Sequence, residues 1–269
     1  NHSVFDRDDI ASPSTPYPSF CDMGEVGGVA NFILGDMINS FPEEDMLDQG
    51  ITFGTFYAGE IVPDEAGLAG HYLAALSGLS DTKVTGAISA WGWGYSLILD
   101  KLGDQFTNIA IYGHSRAGKA ALWAAANDER IDAVIAHQSG TGGATLNQSH
   151  KGESIKSVTS QYPHWFDPAY ASLHDNEDAQ QIDQHHLIAL IAPRPVLLGN
   201  AQLDKWSDPR GAFQAMKEAS KVYDLFGAKS FNAKNLQDFH PGDALSYWFR
   251  SGPHGVRSSD WEAFLKFVK

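Results

Sequence analysis

The chain has 269 residues, 43% of them hydrophobic and 19% charged, and a formal net charge of −14 at pH 7. This length and composition are typical of a folded globular domain and exclude a chain that is disordered throughout. The acidic balance, unbroken by any run of lysine and arginine, predicts no nucleic-acid partner, because such a surface repels phosphate. No apolar stretch reaches the length of a membrane span, so we expect no membrane partner either.

A single cysteine, Cys21, allows no internal disulfide, which removes one marker of secretion without excluding export. Residues 1–6 lack the basic start and the apolar run of a signal peptide. We expect that any signal peptide has been removed or lies outside this sequence.

The first fifty residues are rich in Pro, Ser, Asp and Gly and predict mainly ordered loop. Short apolar runs and longer amphipathic runs alternate after them. Such alternation predicts parallel strands with right-handed crossovers, hence an α/β sheet covered by helices on both faces, in one domain over residues 1–269. The predicted strands are residues 51–57, 108–112, 133–136, 196–198 and 247–250, and the predicted helices are residues 68–76, 87–102, 118–126, 184–191, 211–226 and 260–268.

Residues 139–183 interrupt this alternation, because their Gly, Ser, His, Trp and Tyr residues follow no clear period. A long irregular insertion in a compact domain is typical of a functional surface loop.

The residues around Ser115 have the pattern of a nucleophile elbow. In an α/β hydrolase the serine stands on a sharp strand-to-helix turn flanked by small residues, because the two elements approach closely there. A buried strand leads into Gly113, and Ala117 and Gly118 follow the serine before a helical run. The spacing departs from G-x-S-x-G, since the second glycine falls one residue late. A turn with a capping serine is the alternative, but the flanking strand and helix favour a nucleophile.

The general base is expected after the last strand, because the chain order in this fold is nucleophile, acid, histidine. His254 lies in a Gly-Pro-His-Gly loop between the strand at 247–250 and the final helix. His240 is the competitor, but it precedes that strand.

The acid is expected after the strand at 196–198, where Asp204 lies at the usual distance. Its role is to hold the imidazole tautomer and to stabilise the imidazolium as it forms. Asp208 is the alternative, although its place before Pro209 is typical of a helix N-cap.

Eleven histidines raise the question of a metal, but the sequence has no His-Glu-x-x-His spacing. His185 and His186 are adjacent, so on a helix we expect them to point apart. We therefore predict no metal and no cofactor. Structural or substrate-facing roles are expected for the histidines near the site, namely His114, His137, His150 and His164.

The run Gly113-His114-Ser115-Arg116-Ala117-Gly118-Lys119 resembles the G-[CH]-S-R-x-G-K motif of the glucuronoyl esterases, carbohydrate esterase family 15. The resemblance extends from Asn1 almost to the C-terminus and is closest to bacterial members. It is also carried by residues 139–144, 162–166, 183–185, 192–195, 204–209 and 252–254.

The resemblance implies cleavage of the ester that joins 4-O-methyl-glucuronic acid of glucuronoxylan to a lignin alcohol, by a secreted or periplasmic enzyme that we expect to be a monomer. It implies that Arg116 donates to the oxyanion through its guanidinium and its backbone N–H. It also implies that Lys119, Glu153, Gln161 and Trp206 bind the uronic acid ring. The alternatives are simple packing for Trp206 and a surface ion pair between Lys119 and Glu153.

Two departures from the family pattern matter. Many members place a catalytic glutamate where this sequence has Gln138, and a neutral amide cannot stabilise an imidazolium as a carboxylate does. Asp204 is then the acid that remains. Members also carry sequence, including the first strands, upstream of the point that matches Asn1, so those strands are missing from this sequence or the fold is trimmed. The second oxyanion donor therefore cannot be placed.

Two other functions fit the same residues. An acetyl xylan esterase or general carboxylesterase would use the same triad, and a non-catalytic carbohydrate-binding homologue would keep only the pocket.

Overall fold

The computed structural model describes residues 42–78, 84–175, 181–227 and 230–269. Most of the predicted N-terminal loop segment, including Cys21, lies outside these residues. No helix among the described residues is both long and apolar enough to cross a bilayer.

The described residues contain one sheet of four parallel strands in the spatial order β1-β2-β3-β4. Each strand lies beside the next one along the chain, so the carboxyl ends of all four meet at one edge of the sheet. This confirms the predicted α/β sheet. The strands are β1 (Ala110–His114), β2 (Ala133–His137), β3 (Val196–Ala201) and β4 (Leu245–Arg250).

The strand predicted at residues 51–57 is wrong. That segment has no regular secondary structure, and its side chains are exposed or half-buried. A strand needs a neighbour to complete its hydrogen-bond ladder, and no strand among the described residues pairs with this segment.

The six predicted helices are confirmed, each within two residues of its expected ends, and three shorter helices had not been predicted. The short ones lack enough turns to show an amphipathic period. Two of them, at residues 155–161 and 168–171, lie inside the segment 139–183, which is therefore less irregular than expected. The helices are α1 (Glu43–Asp48), α2 (Ala66–Ser77), α3 (Ala87–Leu102), α4 (Arg116–Asn127), α5 (Ile155–Gln161), α6 (Pro168–Ala171), α7 (Gln184–Ala189), α8 (Pro209–Leu225) and α9 (Ser258–Val268).

Helices cover both faces of the sheet, as strand alternation requires. Val134 and Ala136 of β2 belong to a core shared with residues of α4, α7 and α8. Ile135, between them, points to the opposite face and packs with Phe264 and Phe267 of α9. Successive crossovers in one direction put their helices on one face, and α9, which follows the last strand, covers the other.

A further apolar cluster joins α2 and α3 to the residues that follow α5. Its indoles include Trp91, whose Nε1 donates to the carbonyl of Val62 at 2.8 Å, and the buried Trp165. The first amide of α3 donates to the carbonyl of His164 at 2.9 Å. A Cβ at Gly86 would lie 2.5 Å from the Trp165 carbonyl oxygen, so this glycine permits the close approach. The cluster fixes the segment around residues 162–166 beside α4.

Candidate active site

Ser115 occupies a strained turn between β1 and α4. Its backbone angles are φ 56° and ψ −122°, a conformation that a residue other than glycine rarely adopts. Its amide donates to the carbonyl of His137 at 2.8 Å, and its own carbonyl accepts from the amide of Gly118 at 2.9 Å. Such strain persists only where surrounding contacts hold it, and it is typical of functional sites.

Small residues around this turn are a steric requirement. A Cβ at Gly113 would overlap the carbonyl of Ala117. A Cβ at Gly118 would lie 3.0 Å from the carbonyl oxygen of Gly113 and 3.1 Å from the Cβ of Ser139. The glycine that falls one residue late in the motif is therefore the one that lets α4 pack against the strand ends.

His254 and Asp204 are hydrogen-bonded to each other after adjacent strands. The Nδ1 atom of His254 lies 2.7 Å from Oδ2 of Asp204. Asp204 follows β3 and is 2% exposed, whereas His254 follows β4 and keeps 43% of its side chain exposed. A buried carboxylate behind a solvent-accessible imidazole is the arrangement that orients a general base.

The carboxyl of Asp204 is held in its charged form. Burial alone would raise its pKa, but the hydrogen bonds from His254 and Ser207 outweigh burial and lower it. The hydroxyl of Ser207 donates to Oδ2 at 2.5 Å. The charged acid can therefore stabilise a protonated His254.

The ring of His114 connects this pair to the elbow. His114 directly precedes Ser115, and its ring centroid lies 4.6 Å from that of His254. The Ser115 elbow and the hydrogen-bonded pair His254 and Asp204 therefore lie at the same edge of the sheet, where the strands end.

Beneath His114 lies a row of buried polar side chains, each close to the next. Nδ1 of His114 lies 3.1 Å from Nδ1 of His137, and both residues have a pKa well below the usual value, first because of burial. Two neutral imidazoles can share one N–H between these nitrogens. His137 Nε2 lies 3.7 Å from Asp260, which pairs with Arg250 at 2.8 Å. These buried polar side chains support the elbow at Ser115 from beneath and hold it rigid.

Gln138 occupies the position at which the family pattern has a glutamate. Its side chain holds the loop that carries His254. Gln138 is 2% exposed, adopts φ 50°, and its Oε1 accepts from the amide of Gly255 at 2.8 Å. The neutral amide of Gln138 thus fixes the backbone of the residue after His254. The negative charge beside His254 comes instead from Asp204, which follows the next strand, β3.

The two competitors are placed elsewhere. Asp208 precedes α8 at the N-cap position, and its carboxylate accepts from the hydroxyl of Ser149 at 2.6 Å. His240 precedes β4, so it lies toward the opposite edge of the sheet from His254.

The guanidinium of Arg116 is held beside the elbow by residues from distant segments. It forms an ion pair with Asp64 and lies 5.1 Å from the centre of a Trp165 ring. Asp64 also accepts from Trp165 Nε1 at 2.7 Å and lies 2.9 Å from His164 Nε2. Asp64 was not predicted as a site residue, because it belongs to no sequence motif and only the fold brings it to Arg116.

Lys119 is buried, which is a correction to the surface ion pair considered for it. It is 5% exposed, and its Nζ donates to the carbonyls of Ser139 (2.6 Å) and Thr141. Burial lowers the pKa of Lys119 to about 8, with the charge of Glu153 acting in the opposite direction. Glu153 is thus a nearby charge rather than a contact partner. Lys119 ties the elbow helix to the segment after β2.

The other predicted sugar-binding residues lie in two neighbouring loops and at a helix end. The amide of Glu153 donates to the carbonyl of Trp206 at 3.0 Å, and burial raises the pKa of Glu153. Trp206 is 67% exposed, which argues against a core-packing role for its ring. Gln161 is exposed at the last position of α5.

Within the described ranges no group of three or more His, Cys, Asp and Glu side chains is arranged to hold an ion. His185 and His186 do not point apart as expected, since their ring centroids are 3.9 Å apart at the start of the short helix α7.

Several known proteins are similar to this chain. A family model described as fungal glucuronyl esterase matches residues 43–227. Carbohydrate esterase MZ0003, from an unknown prokaryotic organism, is 36% identical over 235 residues, covering 84% of this chain and 54% of that protein. A glucuronoyl esterase structure from Solibacter usitatus is 36% identical, with a TM-score of 0.75 over 84% of this chain and 60% of that one. A CE15 glucuronoyl esterase structure from Teredinibacter turnerae T7901 is 26% identical, with a TM-score of 0.77 over 96% of this chain and 67% of that one.

The parallel sheet and the strained turn at Ser115 define an α/β hydrolase, and the solved relatives share that fold. The family model identifies one family within this class of hydrolases, because it matches more than half of the chain. The chain belongs to the glucuronyl esterase family, which confirms the resemblance seen in the sequence. It spans 54% of the length of MZ0003 and 60% of the Solibacter structure.

Proposed function

We propose that the chain is a serine esterase that hydrolyses the ester between (4-O-methyl-)glucuronic acid of glucuronoxylan and a lignin alcohol. The observation that carries the proposal is the hydrogen bond between His254 and Asp204 beside the Ser115 elbow. Membership of the family and the names of the relatives support the uronate ester as substrate. Because that substrate is extracellular, the proposal includes a secreted or periplasmic location.

The proposed reaction is acyl transfer. His254 accepts the proton of Ser115, and the serine oxygen attacks the ester carbonyl. Charged Asp204 stabilises the imidazolium, which then protonates the leaving alcohol. Water, activated by the same imidazole, cleaves the acyl-enzyme, releases the uronic acid and restores the serine.

We assign stabilisation of the negative charge that develops on the carbonyl oxygen to Arg116 and to the start of α4. The backbone amide that follows the nucleophile and a positive helix end both favour an anion there. The guanidinium is held rigid by Asp64 and by the face of Trp165, so little reorganisation is needed as charge develops.

Recognition of the uronic acid ring is assigned to Lys119, Glu153, Gln161 and Trp206. Exposed Trp206 offers an aromatic face to the apolar side of a sugar, and the Glu153 backbone holds its loop. Lys119 is buried, so we assign it the positioning of the carbonyls of Ser139 and Thr141 as well as any contact with a sugar hydroxyl.

Comparison of two substrates tests the proposal. We expect benzyl glucuronate to be hydrolysed far more efficiently than a short acetyl ester, because the acetyl group cannot use Trp206 or Glu153. Better turnover of the acetyl ester would instead favour an acetyl xylan esterase or a general carboxylesterase. The variant Ser115→Ala should abolish turnover of both, and turnover that does not depend on Ser115 would contradict the proposal. A carbohydrate-binding homologue without activity would show no turnover to lose.

A further inference from the structure

Two adjoining cavities lie outside the proposed catalytic residues. The larger has a volume of about 520 Å³ and the smaller about 420 Å³. They share wall residues, including Arg210 and Leu236, so they form one continuous groove. Ser115, His254 and Asp204 are not in either wall.

The walls of this groove are positively charged, although the chain as a whole carries −14. Its cations come from four separate segments, which is why the sequence shows no basic run. Within the part of the chain that the structure describes, none of them is ion-paired to a carboxylate. We call this feature the basic groove, and its cations are Lys151, Lys205, Arg210, Lys217 and Lys234.

The described walls of the groove contain little negative charge. Asp208 is the only acidic residue among the described residues of the walls, is 5% exposed, and accepts a hydrogen bond from Ser149. Asp238, next to the wall, accepts the backbone amides of Lys234 and Asn235. The groove therefore presents several cations and little opposing charge.

Helix stability does not explain the cations. Arg210 lies in the first turn of α8, where the helix dipole disfavours a positive charge. Lys217 lies on the same helix with its Nζ 4.9 Å from the centre of the Phe213 ring, which directs it along the groove wall. An unneutralised group of cations in an acidic protein suits an anionic ligand.

The groove begins directly beside the proposed catalytic residues. Lys205 follows Asp204 in the chain, and Gly152 of the wall precedes Glu153. The amide of Glu153 is bonded to the carbonyl of Trp206 at 3.0 Å, so the wall and the proposed sugar-binding loops share one framework. A polymer seated at Trp206 can therefore continue into the groove.

We propose that the basic groove binds free uronate groups on the same polysaccharide whose uronate ester is cleaved at Ser115. This inference rests on the proposed function. The esterified uronate is neutral and needs no cation, whereas unesterified uronates elsewhere on the polymer are anions that a chain of −14 repels. The groove supplies the local attraction, and salt is expected to weaken it, because exposed charges are screened over about 10 Å at ordinary ionic strength.

Affinity electrophoresis in gels containing soluble glucuronoxylan tests the inference, with carboxyl-reduced glucuronoxylan as the neutral comparison. The groove variant is Lys151→Gln/Arg210→Gln/Lys234→Gln. The matched control is Lys101→Gln/Lys266→Gln/Lys269→Gln, which removes three exposed lysines outside the groove. Both variants lose the same charge, so a general electrostatic effect would appear in both.

We expect the groove variant to bind glucuronoxylan about tenfold more weakly, because each of three exposed charge contacts contributes roughly a factor of two. The control variant should bind as the unaltered protein does, and the carboxyl-reduced polymer should bind both weakly. Equal binding by the groove and control variants would overturn the inference. So would equal retention by the carboxyl-reduced polymer, or tighter retention by single-stranded DNA than by glucuronoxylan.

Hydrolysis of benzyl glucuronate separates this inference from the proposed function. The small ester cannot reach the groove, so the groove variant should hydrolyse it at the unaltered rate. If neither the unaltered protein nor the groove variant hydrolyses benzyl glucuronate, the esterase proposal fails. The gel experiment still decides whether the groove binds uronates.

Discussion

Nδ1 of His254 and Oδ2 of Asp204 lie 2.7 Å apart, joining a half-exposed imidazole to a buried carboxylate whose pKa is lowered. The two residues follow adjacent parallel strands, so the sheet itself sets their separation. This contact predicts which acid supports catalysis in a chain that has Gln138 at the other family position.

The variant Asp204→Asn should lower kcat by about 10³–10⁴, because an amide neither stabilises the imidazolium nor enforces the required tautomer. The measurement is steady-state hydrolysis of benzyl glucuronate, with circular dichroism to confirm the fold. Asp208→Asn is the comparison variant and should lose less than about tenfold, since its carboxylate contacts Ser149. A mild effect at Asp204 and a severe one at Asp208 would reverse the assignment.

Gly118→Ala should destabilise the fold by about 1–3 kcal/mol and reduce turnover, because the added methyl group would press on the backbone of Gly113 and on Ser139. Urea unfolding measures the first effect. Gly70→Ala, inside α2 and with open space around its Cβ, is the matched control and should gain about 0.5–1 kcal/mol. Equal behaviour of the two variants would show that the elbow does not need a glycine at 118.

Lys119 should make stability increase between pH 7 and pH 9. Burial lowers its pKa to about 8 in the folded protein, whereas the unfolded chain keeps the proton up to a pKa of about 10.4. Above pH 8 the unfolded state therefore binds more protons, and stability increases with pH by about 1 kcal/mol over this window.

Urea unfolding of Lys119→Met and of the unaltered protein at both pH values isolates this effect. The stability difference should shift by about 1 kcal/mol in favour of the unaltered protein at pH 9. Lys101→Met, which removes an exposed lysine, should show no shift between the two pH values. A pH-independent difference for Lys119→Met would show that the amine keeps its ordinary pKa.

His114→Ala should lower kcat about tenfold or more with little change in KM, because the ring supports one face of His254 and small misplacements of a catalytic group are costly. Removing it also leaves Nδ1 of His137 without its partner, at a cost of about 1–3 kcal/mol in unfolding free energy. Kinetics below the unfolding temperature separates the two effects. A change in KM alone would place His114 in substrate binding instead.

Arg116→Met should lower kcat/KM by about 10²–10³, the usual cost of losing an oxyanion donor. Asp64→Asn keeps the guanidinium charge and loses only its fixed position, so its effect should be smaller. The comparison uses benzyl glucuronate with both variants. A larger loss for Asp64→Asn would mean that Asp64 has a more direct role than holding Arg116.

The features that sequence analysis predicted well are those that depend on local pattern and chain order. Four strands, the elbow at Ser115, and the positions of His254 and Asp204 follow from short apolar runs, small residues at a turn and the order of strand ends. Each of these signals lies within a few residues of the feature it predicts.

The features that were missed depend on contacts between distant segments. Asp64 meets Arg116 across 52 positions, and no local pattern marks it. The burial of Lys119 depends on carbonyls 20 and 22 residues away, whereas its charge alone predicts exposure. The segment 51–57 has a strand-like composition, yet composition cannot show whether a neighbouring strand exists to pair with it.

The central claim is that Ser115 is the nucleophile for a glucuronate ester, and labelling with a serine-directed fluorophosphonate tests it most directly. Intact mass and peptide mass spectrometry would be recorded while hydrolysis of benzyl glucuronate is followed. The account predicts one label per chain on the peptide that contains Ser115, with activity lost in proportion. Labelled protein that still hydrolyses benzyl glucuronate at the original rate, or a label on another residue, would contradict it.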